Sequence, residues 1–79
     1  MDWKTRQINV AFRRVLRQQR RDAQLTQAEL AVRARVSREN ISRLEQGKRV
    51  PTIAMVFRLC GGLGVSPELF VSQMLRSME

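Results

Sequence analysis

Apolar residues recur along this chain with the spacing of amphipathic α-helices, and no segment shows the strict alternation typical of a strand. The first apolar stripe predicts a helix over residues 8–23 and leaves arginines on the opposite side. This stripe consists of Ile8, Phe12, Val15 and Leu16. Further helix starts follow at intervals of about 10 to 15 residues. The pattern predicts an all-α, compact five-helix fold that forms a single domain over residues 1–79.

The second and third helices are marked by local capping signals. Thr26 and Glu29 have the spacing of a capping box and predict a helix over residues 27–34. Ser37 is a typical N-cap and predicts a helix over residues 38–46. The residues that this helix turns inward are Ile41 and Leu44. Because the connection between the two helices has only three residues, the angle between them is sharp, and the spacing is that of a helix-turn-helix.

Two more helices follow in the second half of the chain. Thr52 starts the fourth helix, and Ser66, followed by a proline and a glutamate, starts a fifth that reaches about Ser77. Gly61 and Gly62 soften the end of the fourth helix, since each costs up to about 1 kcal/mol in a helix interior. The apolar positions of the fourth helix are Ile53, Val56, Phe57, Cys60 and Leu63.

Net positive charge is confined to the first part of the chain. Of the 15 lysines and arginines, 13 lie within residues 1–49, together with five of the seven acids, so this part carries the whole net charge of +8. Most of the cations are arginines, whose planar fork matches phosphates and guanine edges better than an ammonium does. This uneven distribution of charge favours double-stranded DNA as a partner. The alternative is that the arginines only form solvent-exposed helix faces and bind nothing.

Composition argues against several other classes of protein. The hydrophobic share is 43% and no apolar run approaches the roughly 20 residues of a membrane span, so we expect a soluble chain. The start, MDWKTRQINV, lacks the apolar stretch of a secretory signal, so we expect the protein to be located in the cytoplasm. With no histidine and a lone Cys60, the chain lacks the commonest metal ligands and an internal disulfide. No enzyme signature, metal or cofactor is predicted.

The chain resembles the helix-turn-helix family of phage lambda repressor and Cro, the xenobiotic response element family, over residues 11–70 without gaps. The similarity is carried by LTQAELAVRARVSRENISRLEQGKRVPT and by LGVSPELF. It implies that the third helix lies in the major groove and reads bases with its first turn and outward face. The residues at those positions are Arg38, Glu39, Asn40 and Arg43. Helical periodicity independently places Glu39 and Arg43 opposite Ile41.

Each of these side chains has a matching base edge. Arg38 or Arg43 can bind guanine O6 and N7 through two hydrogen bonds. Asn40 can pair with adenine, and Glu39 can accept from the N4 amino group of cytosine. For each of them, a solvated side chain is the alternative. Phosphate contacts are expected at the start of the second helix and around the third, from Gln27, Ser37, Gln46, Lys48 and Arg49.

Glu45 falls on the inward side of the third helix, where a carboxylate is costly without a cation. The family resemblance implies an arginine of the first helix as its partner, here Arg20. The chain departs from the family pattern at Gln19, usually apolar, and at Gln24 and Arg35, usually glycine. We expect a left-handed backbone at Arg35, at a cost of roughly 1 kcal/mol.

The C-terminal helix, over residues 66–78, follows a core bundle over about residues 8–63 and is apolar around much of its circumference. Its large apolar residues are Leu69, Phe70, Val71, Met74, Leu75 and Met78. Because so short a chain cannot bury them all, they predict the interface of a two-fold homodimer. A frayed tail with exposed methionines is the alternative.

Together, these patterns predict a repressor or activator that binds double-stranded DNA as a homodimer on a pseudo-palindromic operator. The compact size resembles restriction-modification controller proteins and small phage repressors. RNA polymerase is a candidate further partner. The alternative is an antitoxin-type protein-interaction module that also binds its own promoter, and an enzyme is the weakest of the three hypotheses.

Overall fold

A computed structural model describes residues 3–79, so the first two residues of the predicted domain lie outside the described part. Within that part the chain forms five helices and no strand, which confirms the all-α prediction. The helices are α1 (Thr5–Asp22), α2 (Gln27–Ala34), α3 (Arg38–Glu45), α4 (Ile53–Leu63) and α5 (Pro67–Ser77). The predicted bounds of α2 are reproduced, and α3 ends one residue early.

Four of the five helix starts are fixed by side chains near in sequence. The hydroxyls of Thr26, Ser37, Thr52 and Ser66 each accept a hydrogen bond, at 3.0 to 3.1 Å, from the backbone N–H three residues later. The predicted capping box of α2 is complete, because the Thr26 N–H also donates to Glu29 at 2.9 Å. Helix α1 begins at Thr5, not at Ile8, and its N-cap residue makes no side-chain cap. That start therefore carries no local signal.

Each of the helices α1 to α4 is followed, within two residues, by a residue with left-handed backbone. These residues are Gln24, Arg35, Gly47 and Gly64, with φ between 57° and 74°. At the end of α2 the N–H groups of Arg35 and Val36 return to the carbonyls of Val32 and Ala31, at 3.3 and 3.0 Å. The expected left-handed conformation of Arg35 is thereby confirmed. Gln24 adopts the same conformation, and each non-glycine residue there costs about 1 kcal/mol.

The core is formed mainly by one side of each helix. Its buried members are Phe12, Val15, Leu16, Leu25, Leu30, Ala31, Ala34, Ile41, Leu44, Leu59, Cys60, Leu63 and Phe70. The core therefore extends past the predicted bundle into α5, because Phe70 packs on Phe12 with ring centroids 5.7 Å apart. On α4, by contrast, Ile53 and Phe57 are exposed.

Helix α4 continues through its two glycines to Leu63, where the sequence indicates a soft end. The reason is close packing between helices. A Cβ built on Gly62 would lie 3.0 Å from the backbone nitrogen of Ala34 in α2, whereas at Gly61 it would meet nothing within 4 Å. Gly62 thus allows α4 to approach α2 closely. Through this contact, α4 packs against the first helix of the helix-turn-helix.

None of the helices within residues 3–79 combines the length and the apolar character of a membrane-spanning segment. Helices α4 and α5 reach such a length and composition only as a pair, which is bent by 105°.

Candidate nucleic-acid interface

The outer face of α3 brings the predicted base-reading residues together. Arg38, Glu39 and Arg43 are exposed there, and Asn40 is half-buried. The opposite face supplies Ile41 and Leu44 to the core. Because the inner face of α3 is packed in the core, the helix is held in place while its outer side chains remain exposed to solvent.

Three of these four side chains are paired with other polar residues. Nη2 of Arg43 lies 2.6 Å from Oε1 of Glu39, one turn earlier in α3. Nη1 of Arg49, in the loop after α3, donates a hydrogen bond to Oδ1 of Asn40. A candidate phosphate contact is therefore adjacent to a candidate base contact. Arg38 carries neither of these pairings.

The remaining predicted phosphate contacts lie at the ends of α2 and α3. Oγ of Ser37 accepts from the N–H of Asn40 at 3.1 Å, and Nε2 of Gln46 donates to Oγ of Ser42 at 3.0 Å. Lys48 is exposed in the loop that follows. Gln27 differs from the expectation, because its side chain turns inward and donates to Oε1 of Glu45 at 3.2 Å.

Glu45 is the centre of a buried polar network behind this surface. Nε and Nη2 of Arg20 donate to its two carboxylate oxygens, at 2.6 and 2.9 Å, so the structure brings the predicted pair together in a two-pronged contact. Nη1 of Arg20 also donates to the carbonyl of Leu25, at 2.9 Å. Burial by itself raises the pKa of Glu45, but the hydrogen bonds from Arg20 and Gln27, with the nearby charge of Arg17, bring this pKa below its ordinary value.

Helix α1 contributes two cations to this region that the sequence reasoning did not assign. Nη2 of Arg17 donates to the backbone carbonyl of Glu45 at 3.2 Å, and the Arg13 guanidinium lies against Gly47 in the loop after α3. Their spacing of four residues places them on one face of a helix. Nothing local in the sequence indicates that this face meets the end of α3.

The predicted interface residues of α5 divide into two groups. Leu69, Val71 and Leu75 are between 43% and 47% exposed. Phe70 is fully buried in the core of its own chain, so its assignment to an interface between chains is wrong. Met74 packs against the same core, and Met78 is half-buried. The apolar surface that α5 leaves open is therefore smaller than predicted.

Gln19, the polar residue at a usually apolar position, is buried at the contact between α1 and α5. Its amide donates to Oε1 of Gln73, which satisfies the buried group. The departure from the family pattern is thus matched by a polar partner on the facing helix.

Comparisons with known proteins agree with this arrangement. A helix-turn-helix domain model matches residues 11–71. The HTH-type transcriptional regulator y4dJ of Sinorhizobium fredii is 43% identical over 47 residues, which cover 60% of this chain and 61% of that protein. An HTH-type transcriptional regulator of Methanothermobacter thermautotrophicus is 38% identical over 53 residues, covering 67% and 77%.

Solved structures give matches over nearly the whole chain. The clp gene regulator ClgR from Corynebacterium glutamicum has a TM-score of 0.84 at 30% identity, covering 91% of this chain and 94% of that one. The restriction-modification controller protein C.Esp1396I has a TM-score of 0.85 at 26% identity, covering 89% and 92%. Both are regulators by name, and each match extends well beyond the helix-turn-helix.

Proposed function

Because the chain belongs to the helix-turn-helix domain family and is a transcriptional regulator of that type, we propose that it binds a specific double-stranded DNA sequence with α3 in the major groove. The observation that carries this proposal is the exposed polar face of α3. This face displays Arg38, Glu39 and Arg43 while the other side of the helix is locked in the core. Such side chains have no packing role and match base edges chemically.

Cations around α3 supply the phosphate contacts in this proposal. Lys48 and Arg49 lie in the loop after α3, and Arg13 and Arg17 approach the same end of the helix from α1. The net charge of +8 resides in residues 1–49, which include α1 to α3. Phosphate contacts of this kind set the register of a protein on DNA and contribute most of the salt-dependent affinity.

We further propose that the protein acts as a homodimer on a pseudo-palindromic operator. Exposed Leu69, Val71 and Leu75 on α5 offer an apolar surface in the part of the chain that carries no net charge. Two-fold pairing would place the two α3 helices on half-sites about one DNA turn, roughly 34 Å, apart. The likeness to a restriction-modification controller protein supports the narrower role of a controller.

The first prediction separates base reading from phosphate contact. After selection of bound sites from random duplexes, Arg38→Ala should weaken binding to the selected site by about 1 to 3 kcal/mol and relax preference at one base pair. Lys48→Ala should weaken selected and random duplexes alike and reduce the salt slope by about 1. Titrations between about 50 and 200 mM salt provide the measurement, with exposed Arg76→Ala in the C-terminal half as the matched control. Failure of the parent to enrich any site, or equal losses for Arg38→Ala on both duplexes, would contradict base reading.

The second prediction concerns the oligomer. Leu75→Glu should give a protein that sediments at the monomer mass of 9.2 kDa, while the parent sediments at about twice that value. The reason is that a carboxylate at a half-exposed apolar contact must be desolvated when two chains pair. Val32→Glu introduces the same carboxylate at an exposed residue of α2 and should leave the mass unchanged. A parent that runs as a monomer at micromolar concentration would exclude the dimer.

A further inference from the structure

Glu39 and Arg43 are paired on the face of α3 that the proposed function turns toward DNA. Their side chains are 70% and 56% exposed, and the distance from Nη2 of Arg43 to Oε1 of Glu39 is 2.6 Å. They stand one turn apart, which is the spacing at which helix side chains meet. The pair therefore presents a carboxylate and a guanidinium side by side to whatever approaches α3.

A carboxylate is an unusual group to find at this position. The surface around it is cationic, and the natural target is a polyanion. Of the two acidic residues in α3, Glu45 is buried and held by Arg20, whereas Glu39 is exposed. Glu39 thus opposes the general attraction between this surface and DNA phosphates, and it lowers the local positive charge of Arg43.

Helix stability alone is a weak reason for a glutamate at this position. Glu39 lies in the first turn of α3, where the helix dipole favours an acid. However, Ser37 already caps this helix, and exposed ion pairs contribute little to folding. A role in recognition accounts for both the position and the pairing.

The chemistry of the major groove defines what such a pair selects. Arg43 can donate to the O6 and N7 acceptors of guanine, while a carboxylate can only accept. The donors that the major groove offers are the amino groups of cytosine N4 and adenine N6. Thymine O4 and the guanine O6 and N7 acceptors, by contrast, carry negative partial charge and would repel the Glu39 carboxylate.

Building on the proposed function, we propose that the Glu39–Arg43 pair acts as one specificity-determining unit. It reads a guanine through Arg43 only where a cytosine or adenine amino group faces Glu39. The carboxylate rejects sites that lack this donor, because its desolvation is then uncompensated. Glu39 thereby lowers the affinity for DNA of any sequence and raises the discrimination between sequences.

The test removes the charge of Glu39 and keeps the shape of its side chain. Glu39→Gln should bind random duplex DNA about three to ten times more tightly than the parent, since a like charge is lost and Arg43 is free to contact phosphates. The salt slope on random DNA should steepen by about 0.9 for the added phosphate contact. Preference for the selected base pair should fall about tenfold. The matched control is Glu68→Gln, an exposed acid in the first turn of α5, which should alter none of these three quantities.

A second measurement uses the unaltered protein. Replacing the selected cytosine or adenine by an analogue without the amino group should weaken parent binding about tenfold and leave Glu39→Gln nearly unaffected. If the parent selects a site but Glu39→Gln keeps its full preference, or if the analogue has no effect on the parent, the inference is wrong while the proposed function stands. Failure of the parent to select any site would instead overturn the proposed function.

Discussion

Glu45→Ala is expected to destabilise the folded protein by about 3 to 5 kcal/mol, the usual cost of removing one partner from a buried ion pair. The Glu45 side chain is 1% exposed and that of Arg20 is 14% exposed. Without the carboxylate, the Arg20 guanidinium would keep only the Leu25 carbonyl among its present partners. Urea unfolding followed by circular dichroism at fixed protein concentration measures the change.

A matched control is available in the same helix. Glu39→Ala removes an ion pair with the same 2.6 Å distance, but one that is open to solvent. Its expected cost is below about 1 kcal/mol, because water screens the charges and solvates the remaining partner. Equal losses for the two variants would show that burial of the Arg20 pair contributes nothing.

The same network predicts a pH dependence. Because the pKa of Glu45 lies below the ordinary value of 4.5, the ionised carboxylate stabilises the folded state above pH 4.5. This stability is lost as the pH falls through the lowered pKa of the folded protein. The difference in unfolding free energy between the parent and Glu45→Gln should therefore be constant near neutral pH and shrink below about 4.5. A difference that grows in acid would contradict the assignment.

Phe70→Ala should also destabilise the protein strongly, by about 3 to 5 kcal/mol, because it removes a fully buried aromatic ring. The ring packs on Phe12 at a centroid distance of 5.7 Å and joins α5 to α1. In a domain of this size each kcal/mol corresponds to about 4 to 8 °C in melting temperature, so thermal unfolding detects the loss readily.

The neighbouring residue on α5 provides the contrast. Leu69→Ala alters a side chain that is 47% exposed, so its cost to the folded chain should stay below about 1 kcal/mol. Any larger effect of Leu69→Ala should appear in the association of chains and depend on protein concentration. If Phe70→Ala instead kept its melting temperature and lost only association, Phe70 would belong to the interface after all.

Features that depend on neighbours three or four residues away could be predicted from the sequence alone. Capping hydroxyls at Thr26, Ser37, Thr52 and Ser66 set four helix starts, and all four lie where the pattern predicted them. Helical periodicity identified the inward residues Ile41 and Leu44 in the same way. The family resemblance, which depends on the same local pattern, was sufficient to predict that the chain has a helix-turn-helix. The start of α1 was misplaced because its N-cap residue makes no side-chain cap.

Features that depend on which helices meet became visible only in the packed fold. Periodicity could not separate Phe70 from Leu69, because α5 is apolar on several sides and the position of α1 selects the buried one. Gly62 reads locally as a weak helix end, yet its missing side chain is what lets α4 approach Ala34. The contacts of Arg17 and Gln27 with Glu45 join residues 28 and 18 positions apart, a relation that packing creates and local spacing does not encode.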